Sequence, residues 1–398
     1  MKRKKTIAFI DNWSIGANFC DPLVKLLKIK YNVVFVHFDS YYNDQNLKTS
    51  VDMGLYDQVI DIGLHNNSIY TTLAFIKPEV LVYVSIHNHF HRWTNVVASQ
   101  LNIPSIFFMH GVRADIPRII NRKTFIDKIK KINRVLFFLK QYFYYINDIK
   151  SFYIKENSLS LFLDLYDLIF QNRIYTVKPN RDIGFKYDCV AVNTNADISF
   201  FKKNYFMQDK KTQFIVSGNI LSRSDAIKSL AIENSNNMVI FLSQPNFSAG
   251  DLAANEDLNA IISVNNSMAR LGYDFIVRLH PRDDIRKETL LKLGIRVSER
   301  LFYEDIARAW VAISYNSAAL YAFNDVGKPM VVITDDRLPF LSGLKSELVS
   351  NISLCKINEI EKNIKKSDTN LSKNKKDIFP AEEIIFNSIE KIISDKYE

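Results

Sequence analysis

Two stretches of this sequence carry side chains suited to gripping an anion. The first is Tyr273 to Asp284, YDFIVRLHPRDD. Its apolar, β-branched beginning has strand length, and it stops at Pro281, which cannot pair in a ladder; His280 is therefore predicted at the carboxyl end of a strand. In an open α/β sheet that rim is where ligands bind, and an imidazole between Arg278 and Arg282 suits a phosphate. The second is Ile313-Ser314-Tyr315-Asn316-Ser317-Ala318, followed by Gly327-Lys328-Pro329. A strand that ends in small hydroxyl residues and turns into a helix offers free backbone N–H groups, the positive end of the helix dipole and hydroxyl donors at one point. Ser317 also reads as an ordinary helix cap. Its place one strand–helix unit after His280 favours a phosphate held from two sides.

Proton transfer needs a base, and the candidates stand at predicted strand ends of the first half: His110 in Phe107-Phe108-Met109-His110-Gly111, then Asp11, with Asp115 third. A histidine accepts a proton near neutral pH without a large shift. The run His87-Asn88-His89-Phe90-His91 would put alternate histidines on one side of a strand, but no cysteine or acidic cluster near it completes a metal shell. Asp283-Asp284 and Asp335-Asp336 lack the spacing of an Asp-x-Asp metal motif, and neither GxGxxG nor GxxxxGK[ST] occurs. The expectation is a metal-independent transfer with no cofactor. Cys20, Cys189 and Cys355 lie far apart with no CxxC spacing and read as reduced, buried thiols of a cytoplasmic protein.

The elements that must position these residues alternate. Strand-like runs at Lys5 to Asp11, Asn32 to His37, Gln58 to Ile62, Val80 to Ile86, Pro104 to Met109, Cys189 to Asn193 and Gln213 to Ser217 are separated, as far as Met109, by helical patterns at Asp21 to Ile29, Ser68 to Phe75 and Trp93 to Leu101. A second series begins at Met238 to Leu242. It continues with helices at Glu256 to Leu271, Ile285 to Leu293, Leu301 to Arg308 and Ser317 to Asp325, and strands at His280, up to Val297, Val311 to Ser314 and Pro329 to Thr334. This predicts an α/β protein of two Rossmann-like, doubly wound domains facing a cleft. The expected division is an N-terminal Rossmann-like domain over 1–220, a second over 236–378, and a terminal helix over 379–398 packing back on the body.

With 398 residues, 47% of them hydrophobic and 24% charged, the chain buries a sizeable core and is no disordered tail. The apolar run after the basic Met1 to Lys5 is only Thr6 to Ile10, too short for a signal peptide or a membrane span. The net charge of +9 is concentrated: 119–155 holds nine basic residues against two acidic ones, interleaved with aromatics such as Phe137, Phe138, Tyr142 and Phe143. Within an insertion over about 119–175 this pattern fits a helix lying in the headgroup layer of an anionic membrane. It equally fits one packing its aromatics on the body and solvating its lysines. Nucleic acid is not expected, because no recognition motif accompanies the charge.

The order strand, His280-Pro281, then Ser314-x-x-Ser317 and Gly327-Lys328-Pro329 resembles the nucleotide-binding half of GT-B glycosyltransferases of bacterial capsule and lipopolysaccharide assembly, the sialyltransferase and Kdo-transferase groups in particular. The resemblance covers about Met238 to Thr334. It implies that His280, Pro281, Ser314 and Ser317, with Gln244, Arg278 and Asn316 nearby, hold the phosphate of a CMP-linked donor. His110-Gly111 is similar to the His-Gly motif of CDP-glycerol-type phosphotransferases, which implies that His110 is the base. The region after the serine turn, Ala319 to Asn324, lacks the carboxylate that retaining GT-B transferases and UDP-N-acetylglucosamine 2-epimerases use to hold a ribose. The expected function is transfer of a sugar from a nucleotide-activated donor to a surface polysaccharide or lipid-linked glycan at the anionic inner membrane surface. A CDP-glycerol-type polyol-phosphate transferase and a non-catalytic binding protein are the alternatives.

Overall fold

The computed structural model describes residues 4–11, 20–41, 54–86, 89–109, 139, 142–148, 186–204, 212–220, 237–244, 254–280, 285–315, 317, 319–334, 352–367 and 380–397. Two all-parallel sheets organise them. The first is built from β1 (Thr6–Ile10), β2 (Asn32–His37), β3 (Gln58–Asp61), β4 (Val80–Tyr83), β5 (Ser105–Phe108), β6 (Cys189–Val192) and β7 (Gln213–Val216), in the order β3-β2-β1-β4-β5-β6-β7. The second holds β8 (Met238–Leu242), β9 (Asp274–Arg278), β10 (Val311–Ser314), β11 (Met330–Ile333) and β12 (Ile352–Cys355), in the order β12-β11-β10-β8-β9. Both orders reverse once, between β1 and β4 and between β8 and β10. In a doubly wound sheet the ligand crevice lies outside the carboxyl ends of such a pair.

The strands form because both faces of each sheet are covered, so nearly every residue is apolar. Ala8 and Ile10 join one core layer with Leu81, Tyr83, Phe90 and Trp93, while Ile7 and Phe9 join the opposite layer with Leu23, Val24 and Leu27. The second sheet divides likewise: Met238, Ile240 and Leu242 on one face, Val239 and Phe241 on the other. Fully burying each such side chain is worth about 1.5–3 kcal/mol; with both faces apolar, register is set by how the side chains interdigitate and not by an apolar–polar alternation.

The helix Ala381–Asp395 presents Ala381, Ile385, Ile389 and Ile393, all within 5% exposure, to the core layer of Leu23, Val24 and Leu27 under the first sheet. Lys30 reaches Glu390 at 2.7 Å, the Tyr31 hydroxyl donates to the same carboxylate, and the Tyr397 hydroxyl donates to Glu79 at 2.6 Å. The chain therefore ends on the sheet where it began.

Several elements depart from the expectations, among them the strand Ile352–Cys355 and the helix Asn195–Asn204, neither of which the sequence pattern predicts. The helix His89–Gln100 starts four residues before Trp93, so His89 and His91 are helical and do not share a strand face. The strand to Val297 is a single bridge, Val277 to Val297. The helix expected from Ser317 starts at Leu320. The polar stretch after β12 holds the helix Ile360–Ser367, whose Ile360 and Ile364 are 1% and 0% exposed. No helix among the described residues is long and apolar enough to cross a membrane.

Part of the basic insertion is described. Tyr142 and Tyr145 pack on Trp93, with Tyr145 stacked at 4.6 Å, and Asp148 caps the helix Ile69–Ile76. The Asp148 carboxylate accepts from Ile69 N at 2.7 Å, Tyr70 N at 3.3 Å and Ser68 Oγ at 2.6 Å. Burial pushes this carboxyl above its ordinary pKa, against the downward pull of the hydrogen bonds. Its lysines and arginines lie outside the described residues.

Candidate functional site

The carboxyl rim of the second sheet gathers the anion-binding candidates. Register pairs Leu242 with Arg278 and Phe241 with Ile313, so the chain leaves β8, β9 and β10 at one level. Ser243 and Gln244 follow β8, His280 lies just past β9, and Ser314 closes β10. His280 is half-buried. His280 and Ser317 thus stand on the two sides of Gln244, on the same rim.

The two serines do different work. Ser314 is 0% exposed; its hydroxyl donates to the Leu242 carbonyl at 2.7 Å and accepts from the Ser317 amide at 3.2 Å. It fastens β10 to β8 and shapes the turn. Ser317 Oγ accepts from Gln244 Nε2 at 2.8 Å and from the Ala319 amide at 3.2 Å. A hydroxyl has two acceptor positions and one proton. Both acceptor positions are taken, and no described residue accepts the proton. Ser317 therefore holds a donor, braced by two neighbours, that no described residue uses. Spending its oxygen on Ala319 also delays the helix start to Leu320.

Two arginines divide in the same way. Arg278 Nη1 lies 2.5 Å from Asp305 Oδ2 and donates to the Arg300 carbonyl at 2.9 Å, with the guanidinium 5.1 Å over the Phe302 ring. Asp305 is 0% exposed and also accepts from Ser298 Oγ, so Arg278 clamps the end of β9 to the helix Phe302–Arg308. Arg286, which the sequence reading passed over in favour of Arg282, is 8% exposed. It donates through Nη2 to Ser243 Oγ at 2.8 Å and to the Gln244 carbonyl at 3.0 Å, which puts a guanidinium directly under the rim. A signal for it exists in the sequence: Arg286 occupies the first turn of the helix Ile285–Lys292, where a cation opposes the helix dipole. A broken local rule of this kind marks a functional position more often than a neutral one.

Gly327-Lys328-Pro329 is a brace. Gly327 adopts φ 71°, the left-handed conformation that ends the helix Leu320–Asp325. Lys328 Nζ donates to the Ala307 and Ala309 carbonyls at 2.7 and 2.6 Å. Burial lowers the Lys328 pKa from 10.5 to about 8.

At the first sheet, Asp11 follows β1 and is 1% exposed. Its Oδ1 lies 3.4 Å from Nε2 of His91, itself 2% exposed. Cys20 is close enough for the Asp11 charge to add to the burial that raises its thiol pKa. Burial likewise lifts Cys189 to about 12 and Cys355 to about 11, so all three are inert thiols. His110, Asp115, Pro281, Arg282 and Asn316 lie outside the described residues. Among the described residues no group of three or more histidine, cysteine or acidic side chains is placed to hold a metal ion.

No protein-family model matches the chain. No curated protein matches it either. Solved structures do resemble it. One is the wall teichoic acid polymerase TagF in a form soaked with CDPG, 12% identical over 99% of this chain and 89% of that chain, TM-score 0.53. Others are UDP-N-acetylglucosamine 2-epimerases: that of Rickettsia bellii, 12% identical over 99% of this chain and 96% of that chain, TM-score 0.53, and that of Methanocaldococcus jannaschii in complex with UDP-GlcNAc and UDP, 16% identical over 98% and 99%, TM-score 0.52. At these identities the likeness establishes the fold: two doubly wound parallel sheets of the GT-B type.

Proposed function

We propose that the chain is a GT-B transferase that takes a sugar from a nucleotide-activated donor, in its sharper form a CMP-linked acidic sugar. The acceptor is a growing surface polysaccharide or lipid-linked glycan at the anionic inner membrane surface. The observation that carries the reading is the Ser317 hydroxyl proton, which no described residue accepts, at the reversal point of the second sheet, with Arg286 holding Ser243 and Gln244 beside it. Parallel strands lie about 4.8 Å apart, so the rim positions after β9 and β10 stand roughly 10 Å apart across β8. A nucleotide phosphate fits in that span, with Ser317 and Gln244 on one side and His280 on the other.

In transfer, the bond from the sugar carbon to the phosphate oxygen breaks and its electron pair stays on the phosphate. Donors held ready at that oxygen stabilise the charge as it develops. Ser317 and His280 supply hydrogen bonds; Arg286 supplies the field and holds Ser243 and Gln244 in place. Ser314 and Arg278 act behind them by fixing the strand ends. The acceptor hydroxyl needs a base; the sequence names His110 and then Asp11, and Asp11 follows β1 at the rim of the first sheet.

A second reading is a CDP-glycerol-type polyol-phosphate transferase, favoured by His110-Gly111 and by the likeness to a polymerase soaked with CDPG. Mass analysis of the modified acceptor separates the two. The experiment that tests the common reading is titration of the protein with CMP, CDP, UDP and GDP, read by thermal shift and calorimetry. One of the four is expected to bind, and Ser317→Ala to weaken it about 10- to 150-fold, the worth of a hydrogen bond to a charged group. No binding by any of them, or unchanged affinity in Ser317→Ala, overturns it.

A further inference from the structure

The reversal point of the first sheet holds buried polar atoms with no described partner. His91 is 2% exposed, and neither its Nδ1 nor its Nε2 has a hydrogen-bond partner among the described residues. Its Nε2 faces Asp11 Oδ1 at 3.4 Å, within ion-pair range. The Tyr83 ring stands edge-on to the imidazole at 6.4 Å, and the Tyr83 hydroxyl is likewise buried without a described partner. Asp11 follows β1 and Tyr83 closes β4, the two strands between which the order reverses. Leaving a buried polar atom unpaired costs about 1–3 kcal/mol, and this sheet leaves an imidazole nitrogen and a hydroxyl so placed at its crevice. A ligand hydroxyl satisfies both.

We propose that His91 takes the proton of the acceptor hydroxyl and that Asp11 is the positioning residue that orients it. The proposal rests on the transferase reading above and names its base. A carboxylate opposite Nε2 favours the tautomer with the proton on that nitrogen, which leaves the Nδ1 lone pair free to accept, as in any base oriented by a third group. As the acceptor oxygen forms its bond to the sugar carbon, its proton passes to Nδ1. The bond from that carbon to the phosphate oxygen breaks, its electron pair leaves with the nucleotide, and the imidazolium beside Asp11 later returns its proton to solvent. Both side chains are buried, so the reaction requires the acceptor hydroxyl to reach Nδ1 through the crevice at the strand ends. Asp11 thereby changes role, from base to orienter.

The test uses the full chain labelled with nitrogen-15 at histidine. Long-range proton–nitrogen spectra of the wild type and His91→Gln identify the His91 signals. The expected wild-type tautomer carries its proton on Nε2, and Asp11→Asn shifts the population away from it. A wild-type His91 protonated on Nδ1, or a spectrum unchanged by Asp11→Asn, overturns the proposal. Turnover gives the second readout, on the nucleotide-sugar whose nucleotide stabilises the protein most. His91→Gln and Asp11→Asn are expected to lower kcat by about 100-fold or more and to leave donor KM and nucleotide affinity within about twofold. Unchanged kcat, or loss of nucleotide affinity in both variants, overturns it and marks the pair as a packing element. Asp11→Asn preserves volume and keeps the test open if His91→Gln fails to fold. A wild type that binds no nucleotide overturns the transferase reading itself, a separate outcome from failure of the dyad.

Discussion

Arg278→Met separates the two arginines of the second rim. If Arg278 is a clamp, its loss strands Asp305, which is 0% exposed, with only the Ser298 hydroxyl to answer its charge. Removing one partner of a fully buried pair costs about 3–5 kcal/mol. The Arg278 side chain is 27% exposed, so water already screens part of the attraction, and Ser298 keeps two contacts with the carboxylate; both reduce the loss to about 2–3 kcal/mol. At about 2–4 °C per kcal/mol for a unit of this size, the midpoint should fall by about 5–10 °C. Calorimetry measures it, and urea titration with an unchanged m-value confirms it. Arg278→Met/Asp305→Leu should recover most of the loss, because an apolar pair replaces a stranded charge. Nucleotide affinity of the folded protein should stay within about threefold in Arg278→Met and fall at least tenfold in Arg286→Met, since a charge-assisted contact is worth about 1.5–3 kcal/mol. A stable Arg278→Met that has lost nucleotide binding refutes the reasoning and returns Arg278 to the phosphate.

Lys328 gives a pH dependence with a definite sign. Its pKa is about 8 in the fold against 10.5 ordinarily, so between those values the unfolded chain keeps a proton that the folded chain has lost. The Lys328 contribution to stability should climb with pH through that window, by at most about 3 kcal/mol, while the three buried cysteines contribute with the opposite sign above about pH 9. The difference in stability between wild type and Lys328→Met should therefore change with pH over the window, and a difference that does not change refutes the assignment. Ile389→Ala, at a position 0% exposed under the first sheet, should cost about 2–5 kcal/mol in urea; a cost below 1 kcal/mol would detach the terminal helix from the core. Replacing Lys123, Lys128, Lys130, Lys131 and Lys140 with glutamine should release the protein from anionic vesicles in flotation and leave turnover on a soluble acceptor unchanged. Undiminished flotation makes the segment a packing element.

What could be read from the sequence follows from how far apart the determining residues are. Asn32–His37, Met238–Leu242 and Val311–Ser314 were predicted to the residue because a parallel strand buried on both faces is a continuous apolar run. The helix Ile360–Ser367 was lost in a lysine-rich stretch, since only Ile360 and Ile364 of its face touch the core. Asn195–Asn204 was passed over although Thr194 and Asp197 form a capping pair, with Thr194 Oγ1 donating to Asp197 at 2.8 Å. The rim after β8, β9 and β10 was legible as a set of strand ends. The division of labour within it was not: Ser317 is defined by Gln244, 73 residues away, and Arg278 by Asp305, 27 away.

The same distance argument explains why the sequence offers His91 only as one of a run of histidines, a weak metal candidate or part of a loop lining the acceptor cleft. Its sequence neighbours are His87 and His89, whereas its partner in the fold is Asp11, brought beside it by the pairing of β1 with β4. In both sheets the strand order reverses where two consecutive segments of one βαβ series part to opposite sides, leaving a gap at the carboxyl ends that neither helix fills. At each gap a polar group has hydrogen-bonding capacity that no described residue uses: the Ser317 hydroxyl proton, suited to an anion, and the His91 imidazole, whose Nδ1 in the proposal above accepts from a hydroxyl. A transfer from a phosphate-linked donor to an alcohol needs these two, with these signs, on separate halves of the molecule. Exchanging them would leave a bound phosphate facing a lone pair and an acceptor with no base.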